Sequence, residues 1–293
     1  MNLTPTDPVL IISDLHLGHR ASRIRHPEQL EPLFKPFHTV IFNGDTAEMR
    51  NPEDRPLGRK LAADLGRVCH GAGSKAIFIT GNHDPTISSI DHLDLHGGAL
   101  LVTHGDILFL GVAPWSRAAK SYRETHEEFL KQLGEDAYTS FEQRLLATKR
   151  TSITLQMHEA PLTRKHKKWG GLHTVMHQLW PPWRPFKILQ AWWQTPGLTA
   201  DMTHLFRPKA RFTVIGHTHC PGIWRRGGRV VINTGSFLKY MTARGVIIDD
   251  GRLEVRYLKR SGNNFCLGRV DAVFRLPHET AGRAEGEPRP GLS

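Results

Sequence analysis

Residues 9–18 read Val-Leu-Ile-Ile-Ser-Asp-Leu-His-Leu-Gly, so that a short apolar run stops at a cluster of polar residues. The pattern returns at residues 40–42, 76–79 and 100–102, and a further apolar run follows at 107–111. Short apolar runs separated by helical stretches are typical of the strands of an α/β domain. Because neighbouring strands deliver their last residues to one crevice, we expect the polar clusters to converge.

The second half of the sequence predicts a helical insertion and then a return to strands. Helical periodicity dominates from residue 113 to residue 208, which predicts a helical cap inserted in one domain that spans residues 1–275. Apolar runs resume at residue 212, and two of them flank Asp249-Asp250-Gly251, which predicts a hairpin. Residues 276–293 have few apolar side chains and predict a disordered tail.

Composition indicates the cellular compartment of the protein and the charge of its partners. The 39 Lys and Arg residues exceed the 28 Asp and Glu residues, for a formal charge of +11, which favours an anionic partner. The three cysteines form no close pair, which argues against a disulfide framework and against a cysteine-based zinc site. With neither an export signal nor a membrane-spanning run in the sequence, we expect a cytoplasmic protein, either soluble or peripheral at the inner face of the membrane.

The residues best suited to chemistry follow predicted strands. They form five patterns: Ser13-Asp14-Leu15-His16-Leu17-Gly18, Gly44-Asp45-Thr46-Ala47-Glu48, Gly81-Asn82-His83-Asp84, His104-Gly105-Asp106 and Gly216-His217-Thr218-His219. Oxygen donors mixed with imidazoles suit Mn, Fe or Zn better than Mg or Ca. In extended backbone, residues two apart point the same way, so Asp14 and His16 are expected to reach one ion, and His217 and His219 to share one face.

This ordered set resembles the signature of the calcineurin-like metallophosphoesterase family: Asp-x-His, Gly-Asp, Gly-Asn-His-Asp or Glu, a lone His, and Gly-His-x-His. The resemblance covers about residues 9–112 and 209–258. It implies an α/β sandwich of two mixed sheets with metal-binding loops at the strand ends. It also implies two divalent metal ions, with Mn as the first choice and Fe or Zn as alternatives.

The resemblance further implies a role for each site residue. One ion would be held by Asp14, His16, Asp45 and His219, and the other by Asp45, Asn82, His104 and His217, so that Asp45 bridges the two. A hydroxide generated between the ions would attack phosphorus. His83 would protonate the departing oxygen or stabilise the phosphoryl charge, and Asp84 would orient its ring.

For three sites near these motifs, the sequence leaves more than one interpretation open. His158 also follows a short apolar run and competes with His104 for the lone-histidine position, although His-Gly-Asp is the tighter match. Glu48 is interpreted as capping a helix that follows Asp45, and it is left out of the metal set. Asn233-Thr234-Gly235-Ser236 resembles a family loop near the site but equally fits a β-turn.

The cap has an unusual composition. Residues 160–200 contain no Asp or Glu, but hold Arg164, Lys165, Lys167, Lys168, Arg184 and Lys187 among Trp169, Trp180, Trp183, Trp192 and Trp193. Basic residues interleaved with tryptophans suit a membrane interface, and they also suit single-stranded nucleic acid. The third interpretation is a cap that packs its tryptophans on the domain core and leaves a solvated basic face.

The motifs and the insertion together look most like the branch that contains UDP-2,3-diacylglucosamine pyrophosphohydrolase, which implies a nucleotide-linked lipid substrate. That enzyme usually carries Arg where this chain has His83. A nuclease or a cyclic-nucleotide or general phosphodiesterase is the competing enzyme, although nucleic acid is the less favoured partner. The alternative that is not an enzyme is a non-catalytic scaffold that retains the fold.

Overall fold

The computed structural model describes residues 5–116, 118–158 and 183–277. Its strands are β1 (Val9–Ile12), β2 (Thr39–Asn43), β3 (Lys75–Ile79), β4 (His92–Leu95), β5 (Leu100–Thr103), β6 (Phe212–Ile215), β7 (Gly222–Arg226), β8 (Arg229–Asn233), β9 (Arg244–Asp249), β10 (Arg252–Ser261) and β11 (Asn264–Arg275). Its α-helices are α1 (Glu31–Phe34), α2 (Arg55–Gly71), α3 (Ala119–Leu133), α4 (Asp136–Thr139), α5 (Phe141–His158) and α6 (Arg184–Phe206). Short 3-10 helices span Pro27–Leu30 and Asp106–Leu108.

The strands form two mixed sheets. The first has the order β11-β10-β9-β1-β2-β3, and the second has the order β4-β5-β6-β8-β7. In the first sheet β1 runs parallel to β2 and antiparallel to β9. In the second sheet β6 is parallel to both β5 and β8. The predicted α/β sandwich of two mixed sheets is confirmed.

Alternation along each strand creates the layers. Ile11 and Ile41 of the first sheet share a buried cluster with Val102 and Val214 of the second sheet, so the two sheets pack face to face. The next side chains along the strands point outward: Leu10 and Phe42 pack with Leu33, Phe34 and Leu65 of α1 and α2. On the far side, Leu101 packs with Phe141 and Leu145 of α5, and Val231 with Ala200 of α6. Strands buried on both faces explain the uninterrupted apolar runs of the sequence.

Three strands were not expected, and one expected strand is absent. The missed strands, β4, β7 and β11, lie at sheet edges and carry mostly half-buried or exposed side chains. These three edge strands lack the apolar pattern that marks central strands, because each pairs on one side only and its faces are partly solvated. The apolar run 107–111 is not a strand; its first residues belong to the 3-10 helix Asp106–Leu108.

The described part of the chain between β5 and β6 is helical, with α3 to α6 in sequence. The extent of the cap stays a prediction, since residues 159–182 lie outside the described residues, as does the predicted tail from residue 278. Within the described ranges, none of the helices combines the length and the apolar character that a membrane crossing requires.

Candidate metal centre

The predicted metal ligands lie just beyond the carboxyl ends of strands in both sheets. Asp14 follows β1, Asp45 follows β2, Asn82 follows β3, His104 follows β5, and His217 follows β6. These residues are buried, and the side chain of His219 is mostly so. Parallel strands place their carboxyl ends at one edge, which is why residues scattered from position 14 to position 219 meet.

One half of the cluster consists of Asp14, His16, Asp45 and His219. One ligand atom from each lies within 4.8 Å of the others. Nε2 of His219 is 3.1 Å from Oδ1 of Asp14, and Nε2 of His16 is 3.8 Å from Oδ2 of Asp45. The two ring nitrogens of His16 and His219 face each other at 3.1 Å. Burial lowers the pKa of His16 to about 3, so this imidazole is neutral and offers a lone pair at neutral pH.

The other half consists of Asp45, Asn82, His104 and His217. Oδ1 of Asn82 lies 2.8 Å from Nδ1 of His217 and 3.3 Å from Nε2 of His104. Oδ1 of Asp45 lies 3.4 Å from the same Nε2 of His104. Asp45 therefore faces both halves, with Oδ2 toward His16 and Oδ1 toward His104.

Backbone carbonyls fix the tautomers of the two histidines in this second half. Nδ1 of His104 donates to the carbonyl of Asn43 at 3.0 Å, and Nε2 of His217 donates to the carbonyl of Val112 at 2.9 Å. The opposite ring nitrogens point at Oδ1 of Asn82 with their lone pairs. Three acceptors that converge in this way need a positive charge between them, supplied either by a proton on His104 or by a metal cation.

The charge states support the same conclusion. Burial lowers the pKa of His217 to about 3, which keeps it neutral. Burial also acts against a charge on His104, but the Asp45 carboxylate outweighs it and raises the pKa of His104 well above its usual value. A proton on His104 then takes the position that a metal cation would take. The donor set of carboxylates, imidazoles and one amide oxygen fits a pair of divalent ions.

The backbone is strained at most of the predicted ligands. Asp14, His16, Asp45, His217 and His219 have φ values of 53°, 48°, 50°, 65° and 58°. Residues with side chains seldom adopt this left-handed region, and each such residue costs on the order of 1 kcal/mol or more. The expectation of extended backbone at these residues was therefore wrong, although Asp14 and His16 do lie in the same half of the cluster, as expected. The backbone turns at each of these five ligands, and His217 and His219 face different halves of the cluster.

Glycines beside the ligands make room for them. A Cβ added at Gly81 would overlap the Asp45 carboxylate, and a Cβ added at Gly216 would overlap that of Asp14. The glycines of the motifs therefore leave space for carboxylates that approach the backbone.

His83 lies at the rim of the cluster and is held by Glu48. Its backbone N–H donates to Oδ1 of Asp45 at 2.8 Å, and its ring Nδ1 lies 3.0 Å from Oε2 of Glu48. Its Nε2 faces Oδ2 of Asp45 at 4.0 Å. Burial opposes a charge on this ring, but Glu48 and Asp45 raise the pKa of His83 to about 9. Against the opposing effect of burial, His83 lowers the pKa of Glu48 to about 2.

Two sequence-based interpretations of this region were wrong. Glu48 does not cap a helix, since α2 begins only at Arg55, and its carboxylate holds the His83 ring instead. Asp84 does not orient that ring. Its carboxylate accepts the backbone N–H groups of Asp45, Thr46, Ala47 and Gly81 at 3.0, 2.7, 3.1 and 2.9 Å. Burial and Asp45 raise the pKa of Asp84 to about 7, although these four donors favour its ionised form.

The loop 233–236 braces two of the ligand loops. The Asn233 side chain donates to the carbonyl of Gly216 at 2.8 Å, and the Ser236 hydroxyl donates to the carbonyl of Asp14 at 3.1 Å. The hydroxyl of Thr234 lies 2.6 Å from that of Ser13. This loop, whose role was open from the sequence, therefore contacts the backbone at ligand positions.

Some contacts to the site carry no sequence signal. Gln156 of α5 donates to the carbonyl of Asn82 at 2.8 Å, and Trp192 of α6 donates to the carbonyl of Thr218 at 2.8 Å. The ring of Trp115 packs on that of His217 with 5.2 Å between centroids. His158, the rival of His104, is the last residue of α5 and does not follow a strand; its side chain lies outside the described residues.

Residues 7–221 match the family model of the calcineurin-like phosphoesterases, which is most of the chain. The chain belongs to this family. The matched range contains every predicted metal ligand of the calcineurin-like phosphoesterase site, while β7 to β11 lie outside it. A comparison with curated proteins gave no match.

Solved structures similar to this calcineurin-like phosphoesterase are distant in sequence. A Vps29 double mutant from Entamoeba histolytica is 12% identical, with 91% of this chain and 99% of that chain covered and a TM-score of 0.43. A dimetal phosphatase from Danio rerio is 10% identical, with coverage of 90% and 98% and a TM-score of 0.42. A predicted phosphoesterase from Streptococcus pneumoniae is 14% identical, with coverage of 89% and 95% and a TM-score of 0.35. The family assignment rests on the family model and not on these structures.

Proposed function

We propose that the protein is a dinuclear-metal-dependent phosphoester hydrolase. The observation that carries the proposal is the convergence of ring nitrogens of His104 and His217 and the amide oxygen of Asn82 beside the buried carboxylate of Asp45. The proposed ligands of one ion are Asp14, His16, Asp45 and His219, and those of the other are Asp45, Asn82, His104 and His217. Mn is the proposed metal, with Fe or Zn as alternatives that the same donors suit.

Two divalent ions, when bound, lower the pKa of a shared water and stabilise the charge that develops at phosphorus. The side chains of the protein supply the rest of the chemistry. His83 is the proposed general acid, since its ring is protonated at neutral pH and lies at the rim beside Asp45. Glu48 fixes its orientation through Nδ1, which leaves Nε2 for the departing oxygen. Asp84 holds the backbone that carries Asp45, so we assign it a positioning role.

Hydrolysis of bis(p-nitrophenyl) phosphate by protein loaded with Mn tests this proposal. Wild-type protein should bind close to two ions per chain and release p-nitrophenol. Asp45→Asn should lower the metal content and abolish turnover, because the charge between the two halves is lost. A non-catalytic scaffold predicts the opposite: fully loaded wild-type protein that is inert toward mono-, di- and pyrophosphate esters with Mn, Fe and Zn. That result would remove the proposal.

We further propose that the substrate is a nucleotide-linked lipid such as UDP-2,3-diacylglucosamine. Helix α6 supports it, because Phe186, Leu189 and Trp193 lie about one turn apart and are 73%, 57% and 81% exposed. An exposed apolar stripe next to Arg184 and Lys187 suits peripheral binding at an anionic membrane surface. Trp192 does not belong to this stripe, since its indole bonds to the Thr218 carbonyl.

Release of UMP from UDP-2,3-diacylglucosamine in mixed micelles tests the lipid substrate. Phe186→Ser and Trp193→Ser should raise KM for the lipid substrate and leave KM for bis(p-nitrophenyl) phosphate unchanged. Good turnover of the generic diester without UMP release would exclude the lipid. Single-stranded DNA binding that weakens steeply with salt would then favour a nuclease.

A further inference from the structure

A cavity of 160 Å³ lies between α3, α6 and the loop that follows the 3-10 helix Asp106–Leu108. Its polar lining consists of Arg123 from α3 and Lys187, Gln190 and Gln194 from α6. Phe109 contributes an apolar wall. The volume is sufficient for a group of several non-hydrogen atoms, since one water occupies roughly 30 Å³ of liquid.

The charge of this cavity is positive. None of the described residues that line it is acidic, and neither Arg123 nor Lys187 makes an ion pair with another residue in the described part of the chain. The ammonium group of Lys187 instead bonds to Oε1 of Gln190 at 3.3 Å. A forked guanidinium, an ammonium and two amides within one recess favour an anion with several acceptor oxygens.

The cavity adjoins the metal centre. The ring of Phe109 lies 6.4 Å from that of His217 and 5.7 Å from that of Trp115, which itself packs on His217. The carbonyl of Val112, in the same loop, holds Nε2 of His217. One loop therefore lines the cavity and also fixes a predicted metal ligand.

Helix α3 is held closely against this loop. A Cβ at Gly111 would lie 2.8 Å from the backbone nitrogen of Arg123, and the N–H of Gly111 donates to Nδ1 of His126 at 3.1 Å. Gly111 has a φ of 80°, which also favours glycine at this position. Arg123 thus projects from a backbone position that is fixed before any ligand arrives.

We infer that this cavity is the subsite for a second phosphate group of the substrate, separated from the reacting phosphorus by a spacer about the size of a sugar. The spacer follows from the distance, because Phe109 lines the cavity and its ring centroid lies 6.4 Å from that of the predicted metal ligand His217. The inference rests on the proposed hydrolase function but not on the proposed lipid substrate, whose two phosphates are joined directly. It specifies a different substrate class: phosphoesters that carry a second anionic group separate from the reacting phosphate.

A matched pair of esters tests the inference. Thymidine 5′-(p-nitrophenyl phosphate) and its 3′-phosphate derivative differ only in the second phosphate and release the same phenol. Wild-type protein should show a several-fold higher kcat/KM for the 3′-phosphorylated ester, through a lower KM. Arg123→Gln and Lys187→Gln should each reduce this preference by about fivefold, as for an exposed charge pair. Lys131→Gln, on the exposed surface of the same helix and outside the cavity, should keep it.

Calorimetry supplies a readout independent of turnover. Thymidine 3′,5′-bisphosphate should bind more tightly than thymidine 5′-monophosphate, and Arg123→Gln should remove the difference. Equal kcat/KM values for the two esters in wild-type protein, or an unchanged preference in both cavity variants, would overturn the inference and leave the hydrolase proposal intact. If the protein hydrolysed none of these esters but still bound the bisphosphate in a manner that depends on Arg123, the proposed hydrolase function would be rejected and the phosphate-binding site retained.

Discussion

Nδ1 of His83 and Oε2 of Glu48 lie 3.0 Å apart, so a residue next to a predicted metal ligand takes its orientation from a carboxylate 35 positions earlier in the chain. The pair leaves Nε2 of His83 directed toward Asp45 and the metal cluster. Each member changes the ionisation of the other, which makes the pair accessible to titration as well as to kinetics.

Glu48→Gln should lower the pKa of His83 in metal-free protein. Burial alone would favour the neutral ring, and the charges of Glu48 and Asp45 together outweigh it and raise the pKa of His83 to about 9 in the wild type. His83 should therefore keep its proton until the pH rises through about 9, whereas the variant should lose it at clearly lower pH. Imidazole NMR signals followed against pH report this directly.

The same substitution should reduce kcat by about 10²-fold, the order expected for a misplaced general acid, and leave the metal content unchanged. Glu31→Gln is the control, since Glu31 is a surface residue paired with Lys35. If Glu48→Gln left both the titration and kcat at wild-type values, Glu48 would have no part in holding His83.

Asp84→Asn should destabilise the fold by about 3 kcal/mol, because a buried carboxylate that accepts four N–H groups is replaced by an amide with a single acceptor oxygen. The amide NH₂ of the variant would face N–H donors. Urea unfolding at pH 8 with chelator present measures the loss without a contribution from metal binding. A loss below about 1 kcal/mol would show that these four hydrogen bonds contribute little.

Chelation should lower Tm, and added Mn should restore it. A ligand that binds only the folded state stabilises it by about 2.7 kcal/mol at a free concentration of 100 times Kd. Calorimetric scans of wild-type protein with EDTA and with Mn measure the difference. Asp45→Asn is the matched variant, because the bridging carboxylate is lost while the volume is kept. If EDTA and Mn shifted Tm equally in the wild type and in Asp45→Asn, the stabilising metal would bind at a different site.

His126 should make folding less favourable in acid. Burial lowers its pKa to about 4 from the usual 6.5, so the folded protein holds this ring neutral while the unfolded chain takes up a proton. The contribution to stability is complete above pH 6.5 and is lost as the pH falls from 6.5 toward about 4.

The free energy of unfolding should change less steeply with pH in His126→Gln than in the wild type over this range. Urea titrations at several pH values compare the slopes, and His70→Gln, at the C-terminal end of α2, serves as the control. Parallel curves for wild type and His126→Gln would contradict the assignment.

The central strands and the identities of the site residues could be predicted from the sequence. Val9–Ile12 is apolar at every position and Phe212–Ile215 at every position but Thr213, since both faces of these strands are covered. Polar residues directly after them mark the carboxyl ends of strands. Edge strands such as β4 and β7 could not be predicted, because their side chains face solvent in part and their pairing depends on a neighbouring strand.

Local sequence therefore determined the α/β class and the chemical types of the donors at the strand ends, because strand periodicity and the preferences of ligand atoms act over a few residues. Only the tertiary structure decided which donors face one another. Positive φ at His217 and His219 turns them into opposite halves of the cluster, and Glu48 rather than Asp84 meets the His83 ring. Arg123 and Lys187, which belong to two helices, line one cavity. These contacts depend on the direction of each backbone turn and on the packing of distant elements, which spacing along the chain does not specify.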